Sequence, residues 1–385
     1  MLAVTRAGMV SALGLDLETS CAAARADMVR IRSLDDLWVF DEAAEESVPL
    51  AGHQVPFISA GMFGFARLLQ LALAALDDLK AGTSADVPAR VGLILLLRSD
   101  WHRTAFIEQR KKEPIPPLSP EDEEEMLSLD GDTPPPRWKL DNQELTADRQ
   151  RLANLLPSLI AHAGIAIEPK VQRTILADQS GFVAALKQAE AWLAKGSCEA
   201  CWVGGVDSYL DPSTMRALLG LQLLRTPSNP VGFFPGEMAC FLELRKPGQK
   251  LPSKPLVMIE AFADDPGARS PSTAGQPDAE PLVRAMASAG GGERTAFAVV
   301  NFNGTTARAN EWGLAQLRRQ AQGIADGSAL WIPPRHFGEI GSATGPASVA
   351  LLAHGWARGY APDRKAMICL MEEGPARGAV VASHP

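Results

Sequence analysis

The chain has 385 residues, 46% of them hydrophobic and 21% charged, which is ample material for one large domain or two. A formal net charge of -8, with no basic stripe along the sequence, excludes a nucleic-acid groove and predicts a solvated surface. The longest apolar runs, such as Leu93 to Leu97, are too short for membrane insertion, no signal-peptide pattern opens the chain, and five scattered cysteines read as reduced, buried thiols, so the expected location is cytoplasmic.

The opening MLAVTRAGMVSALG reads as an apolar strand and a glycine-bounded turn. Residues 18–30 and 64–79 are helical in pattern, the second with Leu68, Ala72, Ala75 and Leu79 on one stripe. RVGLILLLR at 90–98 is a continuous apolar run, as expected for a strand covered on both faces. A proline-rich acidic insert follows at about 104–145. Its acidic run, Glu121 to Glu125, cannot be buried together, and Trp138 is its one candidate anchor, expected to fold back on its own domain. A helix at 151–162 and the strand VQRTIL come next. A helix then spans about 181 to 195 and ends at Gly196, and the strand EACWVGG stops at Gly204 and Gly205. The second half restarts the cycle, with strands at 255–263 and 296–304 and helices around 279–289, 306–320 and 345–355. The strands KAMICLM and GAVVAS close the chain. Two comparable rounds of strands and helices predict a duplicated α/β unit, with halves at 1–230 and 231–385.

Several segments, in order and across essentially the whole chain, resemble the β-ketoacyl synthase branch of the thiolase-like superfamily. They are TRAGMVSALG, ADQSGFVAALKQAEAWLAKGSCEACWVGGVDS, GFFPGEMACFLEL, NFNGTTARANEWG and GSATGPASVALLAHGWARGYAP. The resemblance implies an internally duplicated, five-layered α/β/α/β/α fold and a homodimer or heterodimer built by edge pairing of a strand.

It also implies a catalytic set that this chain lacks. The family needs a cysteine thiolate at the start of a buried helix, where amide donors and the helix dipole lower its pKa, and two histidines that stabilise the thioester carbonyl and assist decarboxylation. Counting back from Gly196 and Gly205 over the family spacing places Gln179 at the nucleophile position. The first histidine position falls at Asn303, with Asn301 nearby, and the second near Ser342. In the family, glutamine at the nucleophile position marks a decarboxylating ketosynthase or a chain-length-factor-type partner subunit. Here Gln179 and Ser180 are expected to satisfy a buried turn.

Ser180 with His336 is a weaker candidate nucleophile and base, needing hydrogen-bond contact between them. Cys198 and Cys201 form a lone CxxC with no second pair, so core thiols are the expectation and no metal is assigned. Phe233, Phe234, Gly236 and Glu237 resemble the stretch beside the family's acyl pocket. The phenylalanines are expected to fill an idle cavity and Glu237 to be a buried structural acid. No phosphate-binding motif appears and no cofactor is expected. The functional expectation is a non-catalytic protein acting through protein contacts, an adaptor or accessory protein such as those beside type VI secretion effectors. The alternatives are a silent partner of an active ketosynthase in fatty-acid or polyketide synthesis, with an acyl carrier protein nearby, or an atypical acyltransferase or malonyl decarboxylase using Gln179 or Ser180.

Overall fold

The structure, a computed structural model, describes residues 1–81, 88–112, 137–248, 251, 253–268, 278–290 and 294–385. The first half runs β1 (Leu2–Ser11), α1 (Leu17–Arg25), β2 (Arg32–Asp41), β3 (Glu46–Gly52), α2 (Pro56–Ser59), α3 (Gly64–Ala81), β4 (Val91–Leu97), α4 (Trp101–Arg110), α5 (Arg137–Leu152), α6 (Leu155–Ala163), β5 (Gln172–Leu176), α7 (Gly181–Ala194), β6 (Ala200–Ser208), α8 (Pro212–Gly220) and β7 (Glu237–Arg245). The second runs β8 (Val257–Asp265), α9 (Glu280–Gly290), β9 (Phe297–Val300), α10 (Thr306–Ala321), β10 (Ala329–Trp331), α11 (Pro333–Phe337), α12 (Thr344–Ala357), β11 (Lys365–Met371) and β12 (Arg377–Ser383).

The strands form two five-stranded units with the same topology. One is ordered β1-β7-β6-β4-β5 and the other β8-β12-β11-β9-β10. In each, the last strand in sequence, β7 or β12, lies second from the inner edge and runs antiparallel to its neighbours. The inner strands β1 and β8 join the units through a short antiparallel pairing, Leu2 with Ile259 to Val4 with Val257. Because β7 lies past residue 230, strand pairing carries the first unit through Arg245.

Helices α7 and α12 pack between the two units, α7 on β4, β6, β8 and β12, and α12 on β7 and β11. Helix α3 covers the outer face of the first unit, while α9, with α10 beside it, covers that of the second. The layers are therefore α/β/α/β/α. The central layer is buried from both sides, so its helices have broad apolar faces: Phe182, Val183, Leu186 and Ala189 on α7 and Ala347, Val349, Ala350 and Leu352 on α12 have no significant exposure, while Lys187 and Glu190 of α7 reach solvent. The outer helix α3 needs only one apolar stripe. It runs through Leu69, Ala72, Leu76 and Leu79, while Leu68, expected on that stripe, turns toward a cavity described below. All five cysteines are buried and free.

Part of the span read as an insert is helical. Most of helix α4 and about half of α5 fall inside 104–145, and the acidic run Glu121 to Glu125 lies outside the described residues. Trp138 is half-buried on α5, beside the ammonium groups of Lys111 and Lys139. The hairpin β2–β3 and helix α8 had no counterpart in the sequence reading. Leu34 and Leu50 of the hairpin pack onto Tyr209, Leu210 and Phe233. Among the described residues, no helix is long and apolar enough to cross a membrane.

Candidate functional site

The strand-to-helix turn after β5 places Gln179 and Ser180 at the start of central helix α7. Ala177 N donates to the Leu97 carbonyl at the end of β4, and Gly181 N closes the turn on the Asp178 carbonyl. Gln179 is buried, and its Nε2 donates to Glu339 Oε1 at 2.8 Å. Asn303, in the loop between β9 and α10, donates through Nδ2 to the other oxygen of Glu339 at 2.7 Å. The same carboxylate accepts from Arg308 Nη1 at 2.8 Å and from Gly341 N at 3.1 Å. Gln179 and Asn303 thus meet across one buried acid.

The third position does not meet them. Ser342 Oγ donates to the Val206 carbonyl at 3.1 Å and the Leu96 carbonyl at 3.3 Å, and its amide donates to Asp207. Its role is to seat this loop against β6, where Gly205 permits the contact: a Cβ there would stand 2.2 Å from the Ser342 carbonyl oxygen. The loop residue facing Gln179 and Asn303 is Glu339, three residues earlier, directly after Gly338 with φ of 70°. That glycine, in a left-handed conformation that disfavours a side chain, was the available signal in GEIGSATG. Asn301 faces away from the centre, exchanging two 2.8 Å hydrogen bonds with the backbone of Met371.

Around Glu339 lies a shell of charge that the sequence reading missed. Arg308 bridges Glu339 to Glu373. Burial opposes the charge of that guanidinium, yet Glu339 and Glu373 hold its proton more tightly than usual. His102 on α4 is buried 3.9 Å from Glu373, and neither ring nitrogen has a hydrogen-bond partner among the described residues. Burial, then the cations Arg98 and Arg308, push its pKa well below the usual range, so the ring is neutral. Arg98 pairs with Asp207 at 3.4 Å and lies over the Tyr209 ring at 4.2 Å.

The alternative nucleophile does not find its expected base. Ser180 Oγ donates to Glu372 at 2.8 Å, while His336 Nδ1 lies 3.3 Å from the Met28 carbonyl and 3.9 Å from Asp27. The serine is tied to a carboxylate and the histidine faces another part of the molecule. Glu372 and Asp178, which accepts from Ser99 N and Oγ, both have raised pKa values. Burial is the first cause in each, and repulsion from Glu372 adds to it at Asp178. Among the described residues no cluster of histidine, cysteine or acidic side chains is arranged to hold a metal ion.

A cavity of about 330 Å³ opens at the ends of β4 and β6, lined chiefly by Leu68, Leu97, Leu145 and Leu176 with Arg98 and His102 at its polar end. It falls where ligands gather in parallel α/β sheets, beyond the carboxyl ends of the strands. Its roof is α5, held down by Arg103 to Asp148 at 2.6 Å, Arg110 to Asp141 at 3.1 Å and Arg149 to Asp100. Phe233, Phe234, Gly236 and Glu237 do not line it. Phe233 packs against Tyr209 beneath the hairpin, and Phe234 rests on His53. Glu237 is a buried structural acid, accepting from Arg67, Ser59, Ser208 and the Val55 amide.

No protein-family model and no curated protein matches the chain. Solved structures do. "The ishigamide ketosynthase/chain length factor" is 17% identical with a TM-score of 0.60, covering 100% of this chain and 99% of that one. A type II polyketide synthase acyl-carrier protein in complex with its ketosynthase is 14% identical with a TM-score of 0.68, covering 100% and 99%. The ketosynthase from module 6 of the bacillaene synthase of Bacillus subtilis 168 is 14% identical with a TM-score of 0.66, covering 100% and 72%. The chain has the duplicated thiolase-like fold of these ketosynthase and chain-length-factor structures.

Proposed function

We propose that the chain is a non-catalytic, cytoplasmic partner subunit of an active ketosynthase in fatty-acid or polyketide assembly. One observation carries this reading. The three side chains that converge at the start of α7 are Gln179, Asn303 and Glu339, and the donor groups of both amides are taken up by Glu339, which also holds Arg308. A condensing reaction needs a nucleophile and donors directed at a developing oxyanion. Here the candidate nucleophile is an amide, and both amides donate to a fixed protein carboxylate. A carboxylate at that point would also repel an oxyanion.

Two further features support a partner role over a secretion adaptor. The names of the similar structures include a chain length factor and a carrier protein in complex with its ketosynthase. Strand β5 is the outer edge of the first unit, with Leu176 60% exposed, and so offers an unpaired strand edge to a second subunit. The test is affinity capture of the tagged chain from its own cells, with partners identified by mass spectrometry. Recovery of a cysteine-bearing ketosynthase or an acyl carrier protein is the expected result. Recovery of secretion components without either would restore the adaptor reading.

A further inference from the structure

A second cavity, of about 350 Å³, lies away from the Gln179 centre, between the end of α1, strand β10, α11 and the loop after α12. Its apolar lining is largely aromatic, where that of the first is aliphatic, and charged side chains line both. Trp331 and Tyr360 form an aromatic wall, their rings tilted 35° with centroids 5.6 Å apart. Trp331 is backed edge-on by Phe297 at 4.8 Å, and the Tyr360 hydroxyl is held 2.7 Å from His354 Nδ1. The wall is therefore fixed from behind.

Three charged side chains stand around it. Arg335 and Asp27 neutralise each other through a 2.6 Å ion pair. The Arg25 guanidinium lies 4.5 Å over the Tyr360 ring and has no carboxylate partner among the described residues. His336 adds no charge near neutral pH, since burial holds its pKa below the usual value. The cavity thus carries one uncompensated positive charge beside a flat apolar surface.

We infer that this cavity is a binding site for a small planar aromatic monocarboxylate, whose ring lies on Trp331 and Tyr360 and whose carboxylate pairs with Arg25. Guanidinium and carboxylate match in geometry, and a charge-assisted pair of that kind is among the stronger polar contacts. The cavity volume falls at the lower end of small-ligand sites, which suits one or two fused rings. A dicarboxylate would leave a second charge unpaired beside Asp27. The inference is independent of the ketosynthase-partner reading, because none of Gln179, Asn303 and Glu339 lines the cavity.

The experiment is calorimetric titration of the whole chain with indole-3-acetate and with its neutral isostere indole-3-acetamide. The acetate should bind about tenfold more tightly, and Arg25→Gln, at an exposed position, should erase that difference while leaving the acetamide unchanged. Tyr360→Leu, which removes part of the aromatic wall, should weaken both probes about equally. Absence of binding by the acetate up to about 5 mM, an affinity of about -3 kcal/mol, would overturn the proposal. So would equal binding of the two probes, or binding of the acetate that Arg25→Gln leaves intact.

Discussion

Glu339→Gln is the most informative single substitution in this chain, because it keeps the size of the side chain and removes only its charge. Glu339 accepts four hydrogen bonds, from Gln179 at 2.8 Å, Asn303 at 2.7 Å, Arg308 at 2.8 Å and Gly341 at 3.1 Å. A glutamine offers one acceptor oxygen and no charge, so whichever way its amide turns, Arg308 loses the ion pair to residue 339. Arg308 is buried and would keep Glu373 as a charged partner, so the loss is bounded above by the cost of breaking a buried ion pair, about 3–5 kcal/mol. At about 2.1 cal/mol/K per residue, the unfolding entropy of 385 residues is about 0.8 kcal/mol/K, so the melting midpoint should fall by no more than about 4–6 °C. Ser342→Ala is the control. It removes a hydroxyl that bonds only to backbone carbonyls and should cost about 1 kcal/mol. Urea unfolding of both variants, read by circular dichroism, gives the comparison. If Glu339→Gln is no more destabilising than Ser342→Ala, the carboxylate does not hold this centre together and the account of a self-occupied site fails.

Gln179→Cys alone should yield no carbon–carbon bond formation with acyl and malonyl donors, since Asn303 and Glu339 still stand where oxyanion donors are needed; condensation product detected by mass spectrometry would refute this. Ser180→Ala should leave partner capture unchanged, and loss of capture in a normally folded variant would revive a role for that hydroxyl. Asp178 and Glu372 have raised pKa values, so the stability tied to their protonation is fully present below the unfolded carboxylate range, about pH 4, and is lost as pH rises through the folded values. Asp178→Asn should therefore gain stability relative to the parent between pH 4 and 8, and urea midpoints that differ by a constant would contradict it. Helix α5 is fastened largely by partly exposed ion pairs worth about 0.2–1 kcal/mol each, so its amide exchange should quicken on going from low to high salt while that of α7 does not.

The sequence by itself determined the layering. Continuous apolar runs such as VGLILLL and CWVGGV read as strands covered on both faces, and the small-residue richness of the helix at 181–191 suits tight packing between two such sheets, with Lys187 and Glu190 left at its solvent-facing rim. It also pointed to Gln179 and Asn303 as the positions at which the resemblance implies a thiolate and an imidazole. It did not reveal α5, whose sequence RWKLDNQELTADRQRL buries Leu145 but has no apolar stripe, because ion pairs to α4 and α8 hold it down. It singled out Ser342, whereas the side chain that meets Gln179 and Asn303 is Glu339. An acid in a glycine-rich loop looks like a surface residue until folding brings Arg308, from 31 positions away, to within 2.8 Å. Apolar burial is written in short-range periodicity and can be read along the chain, whereas a buried charge depends on where its partner lands, and only the tertiary structure decides that.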